Sequence, residues 1–333
     1  MFVTVVHRIH DSIAQRVMTS NRSKAKVVGC TGIVALTLGA VPVFGCGTAA
    51  AAVRPATPAR PAAAPASGKG AVAPSARPLK TTAPRDYQIV SSGFLDNSSG
   101  QENFGSVDCP AKTVVLGGGV TDTGATGEVI NSSWPSESYV KKPSKPTSTA
   151  WNVYIENASA TDESFDVYAV CAKQAKWSIQ SVTTNNPAGA QTAVFAACPA
   201  GTVVLSGGAY SSDAGRDFTI NSTSPVGSPE WGIEMNNTSG VSQTVKDYAI
   251  CGKQPKSYSI NESAPMDNPP GSLTMVSETC PPGSSILGAG LYSNAGSPDV
   301  ALNELLADGS AVGFEANNSG IDGGIYAFSI CAA

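Results

Sequence analysis

The side chains that most often perform catalysis are scarce in this sequence. It contains two histidines, His7 and His10, and both precede an apolar run with the composition of a secretory signal. Once that segment is removed, the chain has no histidine, and therefore no Ser-His-Asp triad, no Cys-His pair and no His-ligated zinc. We therefore expect a protein that is not an enzyme and that needs no cofactor.

Cysteine is the next reactive side chain, and its positions indicate disulfides. Eight cysteines occur, of which Cys30 lies within the apolar run and Cys46 at its end. The other six form an even set in a body that we expect to be exported, which favours pairing. We favour pairs within each sequence repeat: Cys109 with Cys171, Cys198 with Cys251, and Cys280 with Cys331. The alternative pairs join neighbouring repeats: Cys171 with Cys198, Cys251 with Cys280, and Cys109 with Cys331.

Carboxylates are the remaining groups that could act as catalysts or metal ligands. Glu234 and Glu315 align with each other, and with Tyr154 in the first repeat, and they are candidates for the acid and base of a glycosidase. Further acidic or amide residues follow the glycine-rich strands: Asp122, Glu128, Asp213, Asp217, Asn294 and Asp299. Their spacing differs between repeats and does not follow an EF-hand, so we expect turn residues and no metal site.

Amide and aromatic side chains at one loop end could instead contact a ligand. The candidates are Asn131, Trp134, Tyr210, Asn221, Tyr292 and Asn303. Such a set can hydrogen-bond and stack, although each asparagine could equally close a turn. A second series, Asn157, Asn237 and Asn318, ends a strand and is expected to serve the turn.

These candidates belong to a threefold internal repeat. The segment CPAKTVVLGGG at 109–119 recurs as CPAGTVVLSGG at 198–208 and as CPPGSSILGAG at 280–290. Each repeat continues to a strand that begins at Trp151, Trp231 or Val312, and it closes on a cysteine, with 80 residues between successive closing cysteines. Such a fixed period predicts three copies of one structural unit.

The local pattern is β throughout. In the run 231–237, Trp231, Ile233 and Met235 alternate with Glu234 and Asn236, as in a strand buried on one side. We expect three tandem antiparallel modules, small sandwiches or Greek-key sheets, in a pseudo-threefold arrangement; the alternative is a single β-prism. The glycines that follow the first apolar strand predict a bulge or a close approach of two backbones.

The sequence divides into five segments. Residues 1–52 form the signal segment, with Met18 as the expected true start, and residues 53–85 form a basic linker rich in alanine and proline. The repeats occupy residues 86–175, 176–255 and 256–333. Val-Phe-Gly-Cys at 43–46 approximates a lipobox, so the mature chain is either cleaved after the following alanines or lipidated on Cys46.

The charge of the body limits its partners. From Asp86 onward the chain has 10 Lys and Arg against 24 Asp and Glu, a net charge of −14. Nucleic acid is therefore not expected as a partner, because phosphate neutralisation needs clustered basic side chains. The insertion 141–146, Lys-Lys-Pro-Ser-Lys-Pro, gives the first repeat alone a basic loop.

The repeated Cys-Pro start, the Val-Leu-Gly-Gly-Gly strand, the central Trp and the closing Tyr-Ala-x-Cys resemble modules of uncharacterised secreted proteins of actinobacteria and of bacterial surface proteins with collagen-like stretches. The resemblance covers residues 86–333 and implies no particular activity. A weaker resemblance, through Cys-Pro-x-Gly and the threefold repetition, is to the vitelline membrane outer layer protein and its β-prism.

The sequence therefore predicts a secreted or cell-surface binding module that recognises a glycan or another envelope polymer. A structural or assembly protein of the envelope is the first alternative, and a carboxylate-based polysaccharide hydrolase is the second. A membrane is expected as a partner only through a lipid on Cys46.

Overall fold

The computed structural model describes residues 83–122, 127–138 and 148–333. Every regular element in these ranges is a β-strand, and the strand pairs are antiparallel. The all-β class with antiparallel modules is therefore confirmed. The signal segment, the linker up to residue 82, Met18, Cys46 and the lysine loop at 141–146 all lie outside the described residues.

The three repeats fold into corresponding strands, except that the single strand β8 of repeat 2 stands where repeats 1 and 3 each have two short strands. Repeat 1 has β1 (Gln88–Ser91), β2 (Leu95–Asn97), β3 (Gln101–Asp108), β4 (Val114–Asp122), β5 (Glu128–Ser138), β6 (Ser148–Asn157) and β7 (Glu163–Ala172). Repeat 2 has β8 (Ser178–Asn186), β9 (Ala190–Ala197), β10 (Val203–Ser211), β11 (Phe218–Gly227), β12 (Glu230–Asn237) and β13 (Gln243–Gly252). Repeat 3 has β14 (Ser259–Glu262), β15 (Met266–Asn268), β16 (Ser272–Thr279), β17 (Ser285–Ser293), β18 (Val300–Ala307), β19 (Ser310–Asn317) and β20 (Gly323–Ala332).

The three sheets do not coincide with the three repeats, because each sheet is shared by two of them. Sheet A has the order β1-β7-β4-β18-β19-β16, with β2 also paired to β7, and it joins repeats 1 and 3. Sheet B, β3-β6-β5-β10-β13-β8, joins repeats 1 and 2. Sheet C, β14-β20-β17-β11-β12-β9, with β15 paired to β20, joins repeats 3 and 2.

One hydrophobic core lies inside the three sheets. It draws large buried side chains from every repeat, among them Trp151, Trp231 and Ile286. Equivalent strands of the three repeats occupy equivalent places in the three sheets, which is the predicted pseudo-threefold arrangement. The half-sheets of neighbouring repeats pair and enclose one core. The three modules are therefore assembled in the manner of the alternative, a single prism.

The glycines of β4 lie where this strand meets strands of repeat 3. A register shift follows Val115 in β4, so that the predicted bulge is present there, and the same shift recurs in β10 and β17. A Cβ on Gly117 would collide with the backbone of β17, and one on Gly119 would collide with Leu305 of the adjoining strand β18. Glycine is therefore required where the backbones of two repeats approach closely.

The aromatic residue that opens each repeat binds the neighbouring repeat. Each ring donates a hydrogen bond to the carbonyl beside a bulge: Tyr87 to Ile286 (2.9 Å), Trp177 to Val115 (2.8 Å) and Tyr258 to Val204 (2.7 Å). The three bonds run around the molecule in one direction, from repeat 1 to 3, from 3 to 2 and from 2 to 1. They satisfy carbonyl groups that the bulges remove from regular pairing.

Each repeat contains one disulfide, which joins the two sheets that this repeat helps to form. The three bonds are Cys109–Cys171, Cys198–Cys251 and Cys280–Cys331, which confirms the pairing within repeats. Cys109 follows β3 of sheet B, whereas Cys171 lies in β7 of sheet A, so the bond closes a corner between two sheets. Peptide mapping of the protein without reduction is expected to recover these three links; a peptide linking Cys171 to Cys198 would contradict the structure.

The structure corrects the alignment of repeat 3 by one residue. Trp151 and Trp231 lie 20 positions before the closing cysteine and are buried, and the residue at this place in repeat 3 is Ala311, not Val312. The side chains of Val312 and Ala311 lie on opposite faces of β19, since successive strand residues alternate. The predicted tryptophan position therefore holds alanine in repeat 3.

Candidate functional site

The asparagines that were candidates for ligand contact are buried. Asn131, Asn221 and Asn303 are 1%, 0% and 3% exposed, and each lies at a register shift of its strand. Their amides donate to carbonyl groups of the next repeat: Asn131 to Asp213 (3.1 Å), Asn221 to Val300 (3.0 Å) and Asn303 to Glu128 (2.6 Å). The three amides therefore form a ring of hydrogen bonds between repeats, which is neither a ligand contact nor the closing of a turn.

The second asparagine series closes turns, as expected, but its third member is Asn317 and not Asn318. Asn157, Asn237 and Asn317 each accept a bond from the backbone two residues later and donate to the carbonyl four residues later. Asn318 is exposed. The alignment of repeat 3 was one residue too far along the chain, and this accounts both for Val312 in place of Ala311 and for Asn318 in place of Asn317.

The two candidate catalytic carboxylates are not equivalent. Counted from the closing cysteine, Glu234 corresponds to Tyr154 and Phe314, whereas Glu315 corresponds to Met235. Glu234 lies on the outer face of sheet C but is only 5% exposed, while Glu315 is 0% exposed and points into the core. Burial raises the pKa of Glu315 to about 8, despite bonds donated by Ser293 (2.7 Å) and Asn268 (2.9 Å). A polysaccharide cannot reach this carboxyl group.

The acidic loop residues do not form a shared cluster. Glu128 is buried and accepts a hydrogen bond from Asn97, and Asp217 accepts one from Thr238 (3.0 Å) in an exposed turn. Within residues 83–122, 127–138 and 148–333, no group of three or more His, Cys, Asp or Glu side chains is placed to hold a metal ion. In the same ranges no helix is long and apolar enough to cross a membrane.

Two of the predicted ligand residues do come together, on the outer face of sheet B. The Trp134 ring in β5 lies 5.0 Å from the Tyr210 ring in β10, across the junction of repeats 1 and 2. On its other side Trp134 stacks with Tyr154 of β6 at 5.3 Å, and Tyr154 lies 5.1 Å from Phe104 of β3. Tyr292, by contrast, lies on sheet C and is 5% exposed.

A fifth ring extends this row. Tyr248 in β13 pairs with Gly208 of β10, beside Tyr210, and Nζ of Lys246 lies 5.4 Å from the Tyr248 ring centre. Five consecutive strands, β3, β6, β5, β10 and β13, therefore each carry one aromatic side chain on the outer face. We call this row the aromatic band: Phe104, Tyr154, Trp134, Tyr210 and Tyr248. Phe104 is 52% exposed and the other four rings are half-buried.

Polar groups flank the aromatic band along one side. Asn152 in β6 accepts from Ser106 (2.9 Å) and donates to Ser136 (2.9 Å), which forms a row of hydroxyl and amide groups beside Trp134. These groups hold one another in fixed orientations. They could exchange such bonds for hydrogen bonds to a ligand at little cost.

A pair of carboxylates flanks the other side. Glu102 and Glu156 are directly paired across β3 and β6, next to Phe104 and Tyr154. Burial raises the pKa of both carboxyl groups, and the charge of Arg216 partly opposes this for Glu156. The main-chain N–H of Gly215 donates to Glu102 at 3.2 Å. The band therefore combines exposed rings with acceptors on one side and mixed donors and acceptors on the other.

The matched positions on the other sheets carry different chemistry. Sheet A has Met275, Phe314, Leu306, Thr121 and Tyr168 at the places of the five rings; Leu306 is matched to Trp134 by strand pairing and the other four by their distance from the cysteines. Sheet C has Ala193, Glu234, Ser224, Tyr292 and Phe328. A framework with threefold symmetry thus presents three unlike faces, and only sheet B has an aromatic ring at all five places.

Sequence reasoning identified Trp134 and Tyr210 but missed Phe104, Tyr154 and Tyr248. Each of the missed rings stands in an alternating strand pattern, where an aromatic residue fits a half-buried sheet face equally well. A signal was nevertheless present, because repeat 1 has Phe and Tyr where repeat 2 has Ala193 and Glu234. Departures from the repeat pattern mark the face that has acquired its own chemistry.

Comparison with known proteins adds no function to this geometry. No protein-family model matches the chain, and no match was found among curated proteins.

Proposed function

We propose that the protein is a non-enzymatic module that binds a polysaccharide along the aromatic band of sheet B. The observation that carries the proposal is the row of five rings on five consecutive strands, one exposed and four half-buried, of which the first four have neighbouring centres 5.0 to 5.3 Å apart. Partly exposed rings in such a row form an apolar surface patch, and patches of this kind mark interaction sites.

The chemistry of the band suits a sugar chain. The C–H face of a pyranose packs on an aromatic ring, and its hydroxyl groups need hydrogen-bond partners at the sides. Glu102 and Glu156 offer acceptors on one side, and Asn152 with its two serines offers donors and acceptors on the other. A body with net charge −14 repels polyanions, so neutral polymers are the favoured ligands.

We propose in addition that the protein works outside the cytoplasm, secreted or attached to the cell surface. Three disulfides are stable in an oxidising compartment, which agrees with export. The apolar run before the linker would direct this export. Mass spectrometry of the mature N-terminus distinguishes cleavage after the alanines from a diacylated Cys46.

The replacement of Trp134 with alanine tests the binding proposal. We expect binding to chitin, cellulose or purified peptidoglycan to weaken roughly 30-fold or more, since removal of a central tryptophan from a binding surface costs about 2 kcal/mol or more. Binding is measured by depletion of the protein from solution over a range of polymer concentrations.

Leu306→Ala provides the matched control, because Leu306 holds the same place on sheet A. Its binding should equal that of the parent, and both variants should keep the parental melting temperature within a few degrees. Equal losses in the two variants, or no binding of the parent to any of the three polymers, would reject the aromatic band as a polysaccharide site.

A further inference from the structure

The direction of the aromatic band restricts the shape of its ligand. The rings do not follow one strand but step from strand to strand, so the band runs perpendicular to the strands of sheet B. Neighbouring strands lie about 4.8 Å apart, so the first and fifth rings are separated by about 19 Å. A monosaccharide or a compact branched epitope covers only part of such a row.

The polar groups beside the aromatic band indicate the direction in which a long ligand would lie. The Ser-Asn-Ser row that includes Asn152 and the pair of Glu102 and Glu156 lie on opposite sides of Phe104 and Tyr154. A chain that crossed the band at a right angle would contact one or two rings and would then leave the aromatic surface. A chain that follows the band contacts all five rings and, along its repeat 1 part, has polar groups on both sides.

We propose, on the basis of the proposed function, that the ligand is a linear glycan chain that lies across the strands, from Phe104 to Tyr248. Such a chain spans the junction between β5 and β10, so that repeats 1 and 2 bind it together. Its affinity then depends on how many rings it covers. The chain length at which affinity stops rising is set by the two end rings.

The test is isothermal titration of the intact protein with two series of β-1,4-linked oligosaccharides, of glucose and of N-acetylglucosamine, from two to six units. The affinity for at least one series should rise roughly two- to tenfold for each further ring that is covered. It should level off once the chain reaches the length of the band. A disaccharide that binds as tightly as the hexasaccharide would overturn the linear-chain inference, while the proposed function would stand.

Variants of the two end rings distinguish a loss of specific contacts with the glycan from a general loss of structure. Phe104→Ala and Tyr248→Ala should weaken binding of the hexasaccharide and make affinity level off at a shorter chain, with little effect on the disaccharide. Met275→Ala and Tyr168→Ala, at the matched places of sheet A, should change neither. Uniform weakening at every length would contradict the inference, and so would the absence of binding in both series.

Discussion

Above pH 8, replacing Glu315 with glutamine should stabilise the protein by as much as about 5 kcal/mol, whereas below pH 4.5 it should have little effect. The carboxyl group is fully buried, and its burial raises its pKa from 4.5 to about 8. Each pH unit between these two values is worth about 1.4 kcal/mol. Glutamine keeps an oxygen that can accept the bonds from Ser293 and Asn268 but carries no charge at any pH.

The direction of this pH dependence follows from the number of protons bound by the folded and the unfolded protein. Between pH 4.5 and 8 the unfolded chain loses the proton of Glu315 while the folded protein retains it, so the folded state binds more protons and the free energy of unfolding falls as pH rises. Below pH 4.5 the group is protonated in both states, and its full stability is present. Burial also raises the pKa of Asp247. This residue is present in both the parent and the variant, so its contribution to the pH dependence cancels in the difference between them.

The measurement is urea unfolding of parent and variant at intervals from pH 4 to 9. The difference between the two free energies should grow with pH and then level off near pH 8. Glu315→Met is a second variant, because methionine stands at this place in repeat 2, and it should show the same reduced pH dependence. A constant difference across the pH range would show that Glu315 is not the group that titrates.

Replacing Trp231 with alanine should lower the free energy of unfolding by about 4 kcal/mol, the cost of emptying a large buried site. The indole is 0% exposed, packs over Gly207 and donates from Nε1 to the hydroxyl of Thr223 at 2.8 Å. Its removal leaves both a cavity and a buried hydroxyl without this partner. Urea unfolding at neutral pH measures the loss.

Repeat 3 indicates how the loss can be compensated. There the places of Gly207, Thr223 and Trp231 are taken by Ala289, Leu305 and Ala311, all buried. A Cβ at position 207 would collide with the indole and with the main-chain oxygen of Tyr248, so the larger residue needs both the smaller partner and a small shift of the neighbouring strand, and leucine supplies volume where the hydroxyl stood.

The triple variant Gly207→Ala, Thr223→Leu, Trp231→Ala should therefore recover a substantial part of the stability that Trp231→Ala alone loses. Gly207→Ala alone should destabilise by roughly 2 kcal/mol, because it overpacks the site. A triple variant no more stable than Trp231→Ala alone would contradict the proposed exchange of volume.

The sequence predicted what depends on local pattern and on the repeat. The cysteine pairs followed from one unit repeated three times, and the bulges from glycines directly after an apolar strand. The sharing of sheets was not predictable in the same way, because the pairing of β5 with β10 joins residues of different repeats and leaves no local signal. The same pairing brings Trp134 to Tyr210.

The error in repeat 3 has a physical origin. Val312 resembles a core residue more than Ala311 does, so the apolar pattern favoured the wrong member of the pair, and a slip of one residue exchanges the two faces of a strand. Asn317 and Asn318 are adjacent identical residues, which the pattern alone cannot distinguish. Buried asparagines were likewise not separable by sequence from exposed ones, since their burial arises from contacts between repeats.

The sharing of each sheet by two repeats means that the unit of duplication is not a unit of folding. A single repeat would carry two half-sheets, each ending on a strand without a neighbour, as β4 and β5 would in repeat 1. Three separate copies of one ancestral peptide could close the same ring as a symmetric homotrimer. In a single chain the three faces need not be identical, so an aromatic surface can occur on one of them alone.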